Sequence, residues 1–377
     1  MAFSAKKWVG IPILILLFLG LAYWLIGKIQ YRLNVMDVEE YEPISTLKVE
    51  EHHLKSAKFP FVDVHNHQWT MPVQDLDKLV QEMNDLNMAV MVNLSGFRGK
   101  YLEESLENVN EQYSNRFVLF MNLDFEKLDD EGWPNETLSV MEEAVKMGVK
   151  GLKVYKSLGL TDTDNEGNRI KVDDTRLDPI WAKCAELGIP VLIHTGEPEA
   201  FWFPKDKNNE RWLELKQYPS RYKDPEKNPS FEEVMAEQHA VFRKHPETTF
   251  IAAHLGWFGN DLKRLANLLD EMPNVYTEIG AVLAELGRQP ITAREFMINY
   301  QDRVMMGKDV YNKEEYYTYF RVLETRDEYF DYYRKRHAHW KMYGLGLPDS
   351  VLQKVYYQNA LKVIPGIDST LFNTNVN

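Results

Sequence analysis

Four histidines and one aspartate occupy positions from which a divalent metal could be held. His65 and His67 form a His-x-His pair at the end of the run Phe61-Val-Asp-Val-His-Asn-His67. His194 closes Val191-Leu-Ile-His, His254 closes Phe250-Ile-Ala-Ala-His, and Asp309 ends Val304-Met-Met-Gly-Lys-Asp. A neutral imidazole presents one ring nitrogen to zinc or another borderline divalent ion. Two imidazoles two residues apart on one strand can converge on a single ion. One such pair is weak evidence, and one strand-end histidine alone would read as a core residue. Recurrence of the same placement on four apolar runs argues for a site. Of the 10 histidines, His239 and His245 lie on or beside a helical stretch. His337 and His339 lie in a long connection, and His52 and His53 in a polar stretch where they are expected to be solvated.

The positioning elements alternate. Strands are predicted at Phe61–His67, Ala89–Ser95, Phe117–Asp124, Lys150–Tyr155, Pro190–His194, Phe250–His254, Val275–Ile279 and Val304–Asp309. Amphipathic helices are predicted at Asp75–Leu86, Thr137–Met147, Asp178–Leu187, Phe231–Lys244 and Asp261–Glu271. The β-α-β order implies a parallel sheet, and eight strands suit an α/β (β/α)8 TIM barrel. An open doubly wound sheet is the competitor, but no glycine-rich dinucleotide fingerprint follows the first strand. Every candidate ligand then falls at the C-terminal end of a strand, where barrel enzymes build active sites. Alternation predicts that Val62 and Val64 face the helices while Asp63, His65 and His67 face the interior. By the same rule Lys153 and Tyr155 point inward. Lys153 could bind a substrate carboxylate, pair with an acid, or bridge metals after carboxylation. Glu278, ending the seventh strand, is a further interior acid in the candidate substrate-binding set, expected behind the ligands rather than among them. Cys184, the single cysteine, reads as a small buried hydrophobe and excludes disulfides and cysteine zinc clusters.

Two connections are long. Residues 197–230 mix Phe201, Trp202, Trp212 and Tyr222 with Lys205, Arg211 and Lys223. They read either as a lid over an apolar, negatively charged substrate or as a surface contacting a membrane or a second copy in a homo-oligomer. In residues 310–347, Tyr316, Phe320 and Leu323 have helical spacing and read as core. The uncharged run Trp8–Gly27 is flanked by Lys6, Lys7, Lys28 and Arg32, and roughly 20 apolar residues suffice to cross a bilayer. It reads as a transmembrane anchor, N-terminus inside, with a cleaved signal peptide as the alternative. The boundaries expected are an anchor at 1–28, a polar stem at 29–58, a barrel at 59–366 and a tail at 367–377. The net charge is −13, and the part beyond residue 34 carries −17. That argues against nucleic acid, which needs a basic face. Attraction for an anionic substrate would be local, from Lys153, Arg98 or the basic lid.

The set Asp63-x-His65-x-His67, His194, His254 and Asp309 resembles the amidohydrolase superfamily. It is most similar to the amidohydrolase-related branch that includes aminocarboxymuconate-semialdehyde decarboxylase-like proteins. The stretches GLKVYKSLGL, KHPETTFIAAHLG and LPDSVLQKVYYQNALKVIPG support it across about Phe59–Gly366. The resemblance implies one divalent metal, zinc first, on His65, His67, His194 and Asp309. His254 would orient or deprotonate water, or hold an oxyanion. Asp309 would accept the proton and pass it on. One departure is Lys308, where the family has a small residue before the strand-eight acid. If Asp309 points inward, alternation turns Lys308 away. The implied activity is attack of metal-activated water on an ester, lactone or amide carbonyl of a small aromatic or carboxylated substrate. Non-oxidative decarboxylation is the rival, and a non-catalytic binding or scaffold protein the alternative from another class.

Overall fold

The computed structural model describes residues Gly10–Asn373. Lys6, Lys7 and Trp8 of the expected anchor, and residues 374–377 of the tail, lie outside the described residues. The chain divides into two compact units at Val49/Glu50. The first contains helix α1 (Gly10–Leu33). At 1.5 Å per residue its 24 residues span about 36 Å, enough for a hydrocarbon core of about 30 Å. Among its described side chains, Ile13, Phe18 and Trp24 are exposed. This length and composition suit a membrane span or a signal sequence alike.

The second unit is a barrel. Strands β1 (Phe61–Asn66), β2 (Met88–Asn93), β3 (Phe117–Asn122), β4 (Gly151–Val154), β5 (Val191–Ile193), β6 (Phe250–Ala252), β7 (Val275–Glu278) and β8 (Val304–Met305) form one parallel sheet in sequence order. Closure of β8 onto β1 comes from Val64 N–H to the Met306 carbonyl (3.0 Å), Lys308 N–H to the His65 carbonyl (3.2 Å) and a bridge between Asn66 and Asp309. Helices α2 (Leu76–Leu86), α3 (Gly99–Gln112), α4 (Trp133–Met147), α5 (Asp178–Glu186), α6 (Trp212–Gln217), α7 (Phe231–Lys244), α8 (Leu262–Glu271), α9 (Leu283–Gly287) and α10 (Pro290–Asn299) follow in order between the strands. After β8 come α11 (Glu315–Glu324), α12 (Asp349–Gln353) and α13 (Asn359–Val363). Side-chain caps start several of them. Asp75 accepts from Lys78 N–H, Ser230 from Glu233 N–H and Asp261 from Arg264 N–H.

Two buried apolar clusters separate the layers. The larger joins Phe61, Met91, Leu152, Val154, Val191 and Phe250 to helix residues such as Leu79, Trp181 and Tyr316. The smaller holds Val62, Val64, Val92, Phe120, Leu192, Ile251 and Met305, with Ala360 and Val363 of α13. The smaller is the barrel interior. Val62 and Val64 therefore face inward and Phe61 outward, the reverse of the simple expectation. Asp63 also turns outward, to the Tyr316 hydroxyl of α11 (2.6 Å). The reason is a register shift. Asp63 pairs with Met91 but Asn66 with Asn93, three steps along β1 against two along β2. One extra residue flips the alternation, so Val64 and His65 both face the interior.

The polar stretch before the barrel also departs from expectation. His52 is held rather than merely solvated, because its backbone N–H (2.7 Å) and Nδ1 (2.6 Å) both bond the buried Asp327 carboxylate. Ala57 N–H bonds the Leu86 carbonyl (3.1 Å). Tyr316, Phe320 and Leu323 are buried in the outer layer, and Cys184 is buried among apolar neighbours.

Candidate metal centre

The strand ends bring the histidines together at one mouth. The rings of His65 and His254 lie 4.7 Å apart, His194 and His254 4.4 Å, and His65 and His67 5.3 Å. Asp309 Oδ1 is 3.5 Å from His65 Nε2 and 3.7 Å from His67 Nε2. One ligand atom from each of His65, His254 and Asp309 lies within 4.8 Å of the others. His254 thus belongs to the tightest group with two of the four residues expected as ligands, His65 and Asp309, while His67 and His194 lie outside it.

Hydrogen bonds decide which ring nitrogens are bare. His65 Nδ1 meets Glu278 Oε1 at 2.9 Å. A carboxylate only accepts, so Nδ1 carries the proton and Nε2 the lone pair. His254 Nδ1 donates to the Gly280 carbonyl (2.7 Å), so its Nε2 accepts from His194 Nδ1 (3.3 Å). That leaves His194 Nε2 unprotonated. Tyr155 donates to the Leu94 carbonyl (3.2 Å). Ser95 then donates to Tyr155 (3.0 Å) and accepts from His67 Nδ1 (2.7 Å), freeing His67 Nε2. The Nε2 atoms of His65 and His194 are buried without a hydrogen-bond partner. Bare buried lone pairs beside a carboxylate fit a divalent cation, whose ligands must be deprotonated. Burial, with Lys153 nearby, lowers the His67 pKa to about 3 and holds His65 and His194 well below the usual range. Burial works against the Asp309 charge, but the positive charge that His65, His254 and His67 carry once protonated, with that of Lys153, outweighs it and holds its pKa at about 2.

Backbone strain gathers here. His254, Leu255, Gly256 and Trp257 all have φ near +60°, and Asp309 has φ +83°. Non-glycine residues in this region cost about 1–2 kcal/mol each, and such strain persists where surroundings over-determine it. The clamp is Glu278. Fully buried, it accepts from His65 Nδ1 and His254 N–H (2.6 Å) through Oε1 and from Gly280 N–H through Oε2. A Cβ on Gly307 would fall 2.2 Å from Glu278 Oε2, so the small residue the site needs stands two before Asp309. Lys308 turns away as alternation requires. Its Nζ pairs with Glu315 and bonds the Val310 carbonyl (3.1 Å), 4.9 Å from the Tyr333 ring centre.

Other candidates have partners of their own. Glu278, expected behind the ligands, has both oxygens engaged by His65, His254 and Gly280. Arg98 is half-exposed and pairs with Asp124 (2.8 Å). Trp202 donates its indole N–H to the Pro229 carbonyl (2.8 Å) and packs edge-on against Phe231. These local partners satisfy both, and neither contacts the histidine cluster among the described residues. Lys153 is buried, yet its Nζ has no hydrogen-bond partner among the described residues, so Asp309 and Glu278 act on its charge only at a distance. Tyr155 and Trp69 stack on His67 at 5.7 and 5.1 Å. Trp257 packs on His254 (4.6 Å) and lines a small cavity of about 50 Å³ with Ala200, Phe203 and Arg211. Ser95, Trp69 and Trp257 were missed. Each sits just past a strand end, but nothing in its residue type marks it out.

Residues 128–366 match a family model described as Amidohydrolase. Among solved structures, the chain is similar to 2,6-dihydroxybenzoate decarboxylase from Rhizobium, 13% identical over 81% of this chain and 98% of that one, with a TM-score of 0.52. It is also similar to a dihydroxybenzoic acid decarboxylase from a Polaromonas species with bound manganese and 2-nitroresorcinol as inhibitor. There the identity is 14% over 81% and 96% of the chains, with a TM-score of 0.51. Likeness at these identities speaks to the fold. No curated protein matches the chain.

Proposed function

The chain belongs to the amidohydrolase family, a metal-dependent enzyme of that superfamily, and from this premise we propose that it is a membrane-anchored hydrolase of C–O or C–N bonds. Its substrate would be a small ester, lactone or amide. The observation that carries this reading is the buried, partnerless His65 Nε2 beside Asp309, with a second such nitrogen, His194 Nε2, on the ring that neighbours His254. With His67, these residues would hold one divalent ion. A nitrogen-rich set with one carboxylate and no thiolate suits zinc first. When bound, the ion supplies Lewis acidity that polarises a carbonyl and lowers the pKa of water to about 7.

The remaining steps belong to side chains. Asp309 is ionised at neutral pH, so it takes the proton from the attacking water and returns it to the leaving group. His254 has its Nδ1–H committed to Gly280 and its Nε2 facing His194 Nδ1. In this role Nε2 would exchange the His194 contact for the water it orients or deprotonates, and it has no N–H left for an oxyanion. Glu278 keeps His65 in the metal-binding tautomer.

We further propose an anchor over residues 1–28, a stem over 29–58, the barrel over 59–366 and a tail over 367–377, with the barrel beyond the membrane. Membrane fractionation with and without residues 1–34 tests this, since only the truncation should turn soluble. The activity is tested by metal analysis and by assaying esters, lactones, amides and carboxylic acids for both hydrolysis and carbon dioxide release. Stoichiometric divalent metal and hydrolysis are expected. Carbon dioxide release without hydrolysis would convert the reading to a decarboxylase. Absent metal, with His65→Ala changing neither metal content nor stability, would end it.

A further inference from the structure

His67 differs from the other imidazoles in what its Nδ1 meets. His65 faces a carboxylate and His254 a backbone carbonyl, and both of those groups only accept. His194 faces His254 Nε2, whose role the Gly280 carbonyl fixes. His67 Nδ1 faces the Ser95 hydroxyl at 2.7 Å, and a hydroxyl can accept or donate. That bond by itself does not decide which nitrogen of His67 is bare.

The decision is made one residue further out. Ser95 Oγ lies 3.0 Å from the Tyr155 hydroxyl, which lies 3.2 Å from the Leu94 carbonyl. The carbonyl only accepts, so the single Tyr155 proton goes there. Ser95 then gives its own proton to Tyr155, and its Oγ is left to accept from His67 Nδ1–H. With Tyr155 turned the other way, each bond reverses. Ser95 would donate to Nδ1, and His67 would carry its proton on Nε2, facing Asp309 Oδ1 3.7 Å away. That nitrogen could not hold an ion. The frame around these hydroxyls is fixed. Asn93 Oδ1 accepts from the backbone N–H of Ser95 (2.9 Å) and from that of Gln68 (3.0 Å), the residue after His67. One amide thus ties both ends of the His67–Ser95 bond. The Leu94 carbonyl also accepts from Asn122 Nδ2 at 3.0 Å. Ser95 is fully buried, which keeps bulk water from competing for its hydroxyl.

We propose that Ser95 and Tyr155 are positioning residues acting as one unit, in which the Tyr155 hydroxyl, oriented by the Leu94 carbonyl, makes Ser95 an acceptor and so selects the His67 tautomer able to hold the ion. This rests on the metal-centre reading above and deepens it. It also gives Tyr155 a place behind the ligands rather than in contact with substrate. Which nitrogen of a ligating imidazole is free is set by the bond its other nitrogen makes. A carboxylate, as Glu278 behind His65, holds one tautomer outright. A hydroxyl pair holds it only while both members are present.

The test uses the full-length, detergent-solubilised protein and two substitutions that keep most of the packing, Ser95→Ala and Tyr155→Phe, singly and together. Nitrogen NMR on histidine-labelled, metal-free protein reads the His67 tautomer, its signals identified by their loss in His67→Gln. The wild type should carry the proton on Nδ1. Both single variants should move it toward Nε2. In Ser95→Ala the Nδ1–H has lost its acceptor, and in Tyr155→Phe the freed Ser95 hydroxyl donates to Nδ1. Zinc affinity, from competition with a chromophoric chelator, should fall about 10-fold in each. The double variant should fall no further than Ser95→Ala, because either loss breaks the same path, whereas independent effects would multiply to about 100-fold. Tautomer and affinity unmoved in Tyr155→Phe, or losses that multiply in the double variant, overturn the proposal. So does a wild-type His67 with its proton on Nε2. Failure of the metal-centre reading looks different, since the wild type then binds no zinc, while the tautomer in metal-free protein still decides this proposal.

Discussion

Glu278→Gln gives the sharpest test of how the site is held. The carboxylate accepts three hydrogen bonds. Oε1 takes His65 Nδ1–H and His254 N–H, and Oε2 takes Gly280 N–H. Glutamine keeps one acceptor. With its oxygen in the two-donor position, its amide group faces the Gly280 N–H, donor against donor. A buried donor without a partner costs about 1–3 kcal/mol. The bond to His65 changes from charge-assisted to neutral and weakens by about 1 kcal/mol. The metal-free protein should therefore lose about 2–4 kcal/mol, seen as a lower denaturant midpoint. Metal affinity should fall about 10–100-fold, because His65 is oriented by a weaker bond and loses the basicity a carboxylate partner confers. Competition against a chromophoric chelator measures that directly. If affinity stays within about twofold of the wild type and the midpoint does not move, the tautomer assignment for His65 is wrong. The bare Nε2 that supports the metal site then loses its basis.

Gly307→Ala should destabilise by at least about 1–3 kcal/mol in thermal unfolding and weaken metal binding, because the new Cβ meets Glu278 Oε2 at 2.2 Å and His65 Cβ at 3.1 Å. Lys308→Met should cost about 1–3 kcal/mol, because the partly buried Glu315 loses one of its two cationic partners and keeps Arg334. Adding Glu315→Gln should recover most of that, and metal content should stay unchanged throughout. The stem contact should depend on pH at both ends. Asp327 holds His52 above its ordinary 6.5, so that contribution is present below about pH 6.5 and fades as pH rises through the raised value. Although burial opposes it, His52 and Arg321 bring Asp327 below its ordinary 3.8. Its contribution is present above about pH 3.8 and fades as pH falls. Hydrogen-exchange protection of the His52 amide should peak between, and His52→Gln should flatten the upper limb.

All eight strands were legible because barrel strands are buried on both faces and read as apolar runs bounded by turn residues. Phe231–Lys244 matches its helix in full, and Asp75, Ser230 and Asp261 cap as their residue types suggest. The helices α3 and α10 went unread. Within Glu- and Asn-rich α3, the buried stripe is short, Leu102, Leu106 and Val109. Strand-end position picked out His65, His67, His194, His254 and Asp309, which the fold brings to one mouth. Three features that the sequence left open or misread share a cause, in that each depended on partners far along the chain. The facing of β1 was set by a one-residue shift against β2. The role of Glu278 was set by donors from β1 and from the turn after β6. His52 was held by an acid 275 residues away.

The order of residue types along the chain was enough for fold class, the strand ends and the kind of ion their side chains could hold. Those properties are local, since periodicity, chain punctuation and ligand chemistry are carried by neighbouring residues. Tertiary structure alone decided which face of β1 looks inward, which nitrogen of each imidazole is bare, that Glu278 is a clamp rather than a contact, and that Lys308 hydrogen-bonds an acid while Lys153 does not. Each of those depends on which donor meets which acceptor across strands, and a hydrogen bond or buried charge takes its meaning from a partner that sequence distance does not reveal.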